Sequence, residues 1–250
     1  MQDYLHFVMD IGEQMLISGA EVHRVEESIR RMALAFGAIR VDVFIITSSM
    51  VVTVFEKDDN SHTETRRITS ISTDFEKLHR LNALSRRICE GRLTTEEMKS
   101  EYENAKNSKP YPFLVECLCY SVIAGAFTLF FGGTIAETAV SLIIGAIVRV
   151  GILFSEKVIT NKIFAKFSSA VIATALSYLA LKLSIIGSVD KVIIGNIMTL
   201  IPGIGLTNAL RDLFTGDSIA GLLRSIEAVL IALAIAAGYF LVTVLGGFTL

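Results

Sequence analysis

The sequence predicts an α-helical membrane protein of about five transmembrane helices with an N-terminal α+β cytoplasmic domain, and three observations lead there. Of the 48 charged residues, 33 lie in residues 1–110. Residues 111–250 read instead as successive apolar runs of about 20 residues, the length at which a helix crosses a hydrocarbon core of about 30 Å. The chain is 52% hydrophobic with a mean hydropathy of +0.57, too apolar for one ordinary globular core. The expected domains are therefore 1–110, cytoplasmic, and 111–250, in the membrane.

In the polar half, Leu5, Val8, Met9, Gly12, Met15 and Leu16 recur at helical spacing up to Ser18-Gly19, predicting a helix over 3–17. Val22, Val25, Ile29, Met32, Leu34 and Phe36 mark the face of a second helix over 20–36. Its glutamates come early and its arginines late, an order that suits the helix dipole. After Gly37 the residues become β-branched. Stretches 39–47, 50–55 and 63–71, with a turn at Asp58-Asp59-Asn60, predict a three-stranded antiparallel meander. Helical period returns over 74–90 and 95–106, the latter opened by Thr94-Thr95-Glu96-Glu97, and 106–112 reads as the linker. Residues 1–36 alternate charge with apolar residues and offer no unbroken signal-like run, so this half is expected to stay in the cytoplasm.

In the apolar half, spans are expected near 113–131, 135–154, 167–187, 192–212 and 220–246. With the first domain inside, Lys157, Lys162, Lys166, Arg211 and Arg224 fall in cytoplasmic loops and only Lys182 and Lys191 in the opposite ones. That is a positive-inside pattern.

Composition excludes several functions. A net charge of −2 with mixed signs provides no basic stripe, so no nucleic-acid partner is expected. Cys89, Cys117 and Cys119 have no CxxC spacing and the histidines are scattered, so no metal shell, and hence no metal or other cofactor, is expected. No phosphate-cradling loop or nucleophile elbow is present, and the chain is not expected to be an enzyme.

The fourth span holds the most suggestive polar set: Asn196, Thr199, Pro202, Gly203, Gly205, Thr207 and Asn208. Pro202 lacks a backbone donor and the glycines loosen the chain, so the helix is expected to break in mid-span. A broken span exposes helix ends that can receive a substrate carboxylate or ammonium. A kink that serves packing alone is the competing reading. Ionisable residues near span ends, Arg149, Glu116, Glu137, Asp212, Arg224 and Glu227, are either gating groups or structural ones. Arg224 and Glu227, three apart, are placed to pair with each other, and Asp212 to accept from Arg211 or Arg224. Gly19, Glu21, His23, Arg24 and Glu26 crowd the start of the second helix. A carboxylate–histidine pair there is conceivable, but a solvated helix start with ion pairs is the simpler reading.

Two stretches carry a family resemblance. Ser18-Gly-Ala-Glu-Val-His-Arg-Val-Glu-Glu-Ser28 and Ile201-Pro-Gly-Ile-Gly-Leu-Thr-Asn-Ala-Leu-Arg-Asp-Leu-Phe-Thr-Gly216, the latter followed by Ala220-Gly-Leu-Leu-Arg224, resemble the threonine/serine exporter family. The resemblance runs the length of the chain. It implies a secondary transporter of the bacterial plasma (inner) membrane that exports small amino acids. Some members have ten spans in one chain, whereas in others the work is split, and this chain resembles the large subunit of a split system. The implied partners are a small multi-span membrane subunit, a small-molecule substrate and the lipid bilayer. A branch of the split type is associated with succinate, which makes a dicarboxylate the alternative substrate. The family's soluble domain has been likened to hydrolases, so a membrane-anchored enzyme is the alternative from another class.

Overall fold

The computed structural model describes residues 2–58, 60–109, 111–158 and 161–247, with the side chains of 156–158 left out. The turn residue Asp59, the linker residue Pro110 and the side chain of Lys157 in the expected basic loop lie outside that description. The chain divides into two compact units. One runs up to Lys109 and also takes in Gly205–Ser225; the other holds the chain from there to Ile204 and from Ile226 onward.

The first unit opens with α1 (Gln2–Ile17) and α2 (Val22–Ala35), which bury the predicted apolar faces. Gly19 separates them at φ +92°, and a Cβ there would stand 2.9 Å from the Ser72 carbonyl oxygen. Only glycine meets both conditions. The meander follows as β1 (Arg40–Ile46), β2 (Ser49–Phe55) and β3 (Ser61–Arg67), antiparallel in the order β1-β2-β3. The register sets Val41 against Val54 and Ile45 against Met50, so alternate apolar side chains enter one core with α1 and α2. The third strand ends at Arg67, short of the expected 71, because its hydrogen-bonded partner β2 begins at Ser49. Two capped helices complete this part. In α3 (Phe75–Cys89) Asp74 accepts from the Lys77 amide at 2.9 Å, and α4 (Thr95–Lys106) has a capping box between Thr94 and Glu97.

The second unit contains α5 (Phe113–Phe130), α6 (Ile135–Val158), α7 (Lys162–Lys182), α8 (Asp190–Met198) and most of α10 (Ser218–Leu245). Between α8 and α10 lies α9 (Gly203–Thr215), most of which belongs to the first unit. Among the described residues four helices are long and apolar enough to cross a membrane, or five if α8 and α9 count as one broken span. The third span is displaced from the expected 167–187. Asn161 caps the Ile163 amide at 2.9 Å and starts α7 five residues earlier. The helix then ends at Lys182, ahead of Ser184 at φ 57°.

The outer faces are what lipid requires. Leu114, Phe130 and Ile135 are 79%, 78% and 87% exposed, and Leu118, Ile143, Phe154, Leu233 and Phe240 join them. A water-soluble surface does not carry so much large apolar exposure on one set of helices. Small residues make the helix contacts. A Cβ at Gly145 would lie 2.7 Å from the Tyr120 carbonyl oxygen, and one at Gly238 would lie 2.6 Å from that of Phe167, so backbones approach closely in place of a hydrophobic driving force.

Candidate functional site

The apolar run breaks where Pro202 predicts. Leu200 N–H reaches back to Ile197 O at 2.8 Å and Gly203 N–H to Ile201 O at 2.9 Å, tight turns that end α8 and start α9. One turn before the break, Asn196 is fully buried. Its Nδ2 donates to Ser141 Oγ at 2.8 Å and to the Val192 carbonyl at 2.9 Å. Thr128 Oγ1 donates toward the Ala124 carbonyl at 2.9 Å and Ser141 Oγ at 2.6 Å. This small polar knot ties α8 to α5 and α6. The Val192 carbonyl fixes the amide orientation, since a flipped Asn196 would set oxygen against oxygen. Asn196 Oδ1 is left buried without a hydrogen-bond partner. Thr199 Oγ1 donates to the Asn196 carbonyl at 2.7 Å. A Cβ at Gly195 would stand 2.1 Å from Thr128 Oγ1, so this glycine is what lets the knot close.

The remaining residues of the predicted substrate set do not join that knot. Gly205 and Thr207 are exposed on α9, and Asn208 belongs to a second constellation in the first unit. Here the two sequence motifs meet. Asn208 Nδ2 donates to the Gly19 carbonyl at 3.1 Å, and Arg224 Nη2 donates to the Ala20 carbonyl at 2.9 Å. Arg211 pairs with Glu21. The Val22 amide donates to Asp212 Oδ1 at 3.3 Å, and Arg224 Nη1 lies 3.3 Å from Asp212 Oδ2. Asp212 is fully buried and Arg224 9% exposed. Because Glu21 provides no side-chain cap to α2, Asp212 acts as that cap from α9, a carboxylate at the positive end of a helix. Gly221 lets α10 sit against α9, where a Cβ would come within 2.9 Å of the Ala209 carbonyl oxygen.

The other predicted residues fall into place around these. Arg224 is committed to Asp212 and Ala20, and the pairing expected with Glu227, an exposed residue of the second unit, is not formed. Arg211 goes to Glu21, which leaves Arg224 as the cation beside Asp212. His23 and Arg24 are exposed. Glu26 faces the sheet, its Oε1 accepting from the Ile45 amide at 3.1 Å. Burial pushes its carboxyl above the usual range, the nearby charge of Asp217 adds to that, and the Ile45 amide opposes it. Among the described residues no His, Cys, Asp and Glu gather as a metal shell.

Sequence reasoning missed two features. Glu137 is buried as a cap: its Oε2 accepts from the Thr134 amide at 2.8 Å and its Oε1 from the Ser188 amide at 3.0 Å. The Thr134-x-x-Glu137 spacing is the signal that could have found this. Arg149 pairs with Glu116, Nη2 to Oε2 at 2.5 Å, and sequence offered both residues but no distance between them.

Four helices long and apolar enough to cross a membrane, a bent helix pair with a buried polar knot beside its break, and an α+β unit define a multi-pass helical membrane protein. A family model described as "Putative threonine/serine exporter" matches residues 6–246, and the chain belongs to that family. No curated protein and no solved structure matches it.

Proposed function

We propose that this chain is the large subunit of a bacterial plasma-membrane exporter of threonine and serine. In this reading residues 1–110 lie in the cytoplasm and a small multi-span subunit completes the transport path. The observation that carries the reading is the break at 199–202 directly after the buried Asn196. Helix ends freed at such a break present amide donors to a carboxylate and carbonyls to an ammonium, the two ends of an amino acid. The α9 segment beyond the break is bonded to residues 19–22 of the N-terminal part, which supports a role for that part in gating.

Pro202→Ala together with Gly203→Leu tests this by restoring a continuous helix. Losing hydrogen bonds to a charged substrate group costs about 1.5–3 kcal/mol, so threonine and serine efflux from loaded vesicles is expected to fall at least tenfold at matched protein levels. Unchanged efflux would mean that the break serves packing and that the site lies elsewhere.

A further inference from the structure

The Arg149–Glu116 pair lies within the second unit, between α6 and α5. Arg149 Nε and Nη2 approach Glu116 at 3.0 and 2.5 Å, and both contacts fall on the same oxygen, Oε2. A guanidinium that only clamps two helices normally spreads its fork over both carboxylate oxygens. Here Oε1 takes no part in the pair, and Nη1 is buried with no hydrogen-bond partner. The Arg149 side chain is 13% exposed, and the rings of Phe113 and Tyr120 stand 5.6 and 5.8 Å from its guanidinium carbon. These rings favour the cation and fix the plane of the fork. A buried charged donor without an acceptor is costly, the more so among apolar spans, and a fork held by two rings with its buried Nη1 edge unpartnered is suited to receive an anion.

We propose that Arg149 and Glu116 form an entry site, met before the break at 199–202, that recognises an amino-acid zwitterion, with the Nη1 edge taking the α-carboxylate and Glu116 Oε1 the α-ammonium. The proposal rests on the exporter reading and sharpens it. The pair presents one cation and one anion, so a zwitterion satisfies both, whereas the second carboxylate of a dicarboxylate would face Glu116 as a like charge. Glu116 is in the first turn of α5, immediately after the linker. In the proposed topology that is the cytoplasmic end, where a substrate for export enters.

The test is equilibrium binding of radiolabelled L-threonine to the full chain in nanodiscs, made of phosphatidylcholine alone or with phosphatidylglycerol added. L-threoninol, which lacks the carboxylate, and succinate are the competitors. Threonine is expected to bind at least tenfold tighter than either competitor in both lipids. Arg149→Lys should weaken threonine at least tenfold and leave threoninol unchanged. The charge exchange Glu116→Arg with Arg149→Glu restores an ion pair between α5 and α6, so it should recover helical content and melting behaviour but not threonine binding. Threonine binding at the original affinity in either variant would make the pair a structural lock and overturn the proposal. An Arg149→Lys effect confined to phosphatidylglycerol discs would assign the Nη1 edge to an anionic lipid headgroup and overturn it too. Absence of threonine binding by the unaltered chain would overturn the pair and leave the exporter reading to efflux from vesicles containing both subunits, whereas binding indifferent to Arg149 removes the pair alone.

Discussion

Replacing Asp212 probes the junction of the two motifs. The Asp212→Ala variant leaves Arg224, 9% exposed, without its carboxylate, and removing one partner of a buried ion pair costs about 3–5 kcal/mol. It also strips α2 of the acceptor at its Val22 amide, a capping loss of about 1 kcal/mol. Set against a total stability of about 5–15 kcal/mol, that is enough to open the junction locally. Adding Arg224→Met removes the orphaned cation as well. Since apolar replacement of a buried pair is often close to neutral, the double variant should recover most of the loss. It should still fall about 1–2 kcal/mol short, for the hydrogen bond to Ala20 and the missing cap. Hydrogen exchange of the full chain, read on peptides covering 19–25 and 205–225, reports the opening free energy directly. Exchange in Asp212→Ala indistinguishable from the unaltered chain, or a double variant worse than the single, would refute the argument.

Three further outcomes are expected. Because the folded state holds the Glu26 proton more tightly than the unfolded chain does, this group's contribution to stability is present below the ordinary glutamate range and is lost as pH rises through the raised value. Glu26→Gln should therefore flatten that part of a thermal-unfolding series from acid to neutral pH, and an unchanged profile would show that Glu26 does not titrate abnormally. Gly195→Ala drives a Cβ to 2.1 Å from Thr128 Oγ1 and should destabilise by about 1–3 kcal/mol or more, while Gly203→Ala, with nothing within 4 Å, should melt within about 0.5 kcal/mol of the parent. Equal melting of the two would contradict the close approach of α8 to α5. In a cysteine-free background, a cysteine at Gly187 should react with an impermeant thiol reagent from outside and one at Asn161 should not; the reverse would invert the proposed topology.

Elements whose signals are local were legible in the sequence. Apolar period marked α1 and α2, β-branched alternation marked the strands, Thr94 through Glu97 marked the start of α4, and Pro202 marked the break. The start of α7 departs from the expected 167 because Lys162 and Lys166 suit a cytoplasmic loop as well as a helix, and Asn161 caps a helix whose first turns carry them. The site was harder to read. Asn208, Arg211 and Asp212 lie three and four apart and so share one face of α9, which sequence could show. Their partners are largely backbone groups, the carbonyls of Gly19 and Ala20 and the amide of Val22, and a backbone group leaves no mark on side-chain pattern. The same holds for Ser141 and Thr128 around Asn196: small hydroxyl residues are ordinary in membrane helices, and only packing reveals which of them meet.

The central claim, export of small amino acids through the broken span, is tested most directly by efflux. Vesicles containing this chain and its small multi-span partner would be loaded in parallel with labelled threonine, serine and succinate, with protein-free vesicles as the baseline. Efflux of threonine and serine above the baseline, with succinate held at it, is the predicted result. Succinate efflux without threonine or serine efflux, or no efflux of any of the three, would contradict the claim.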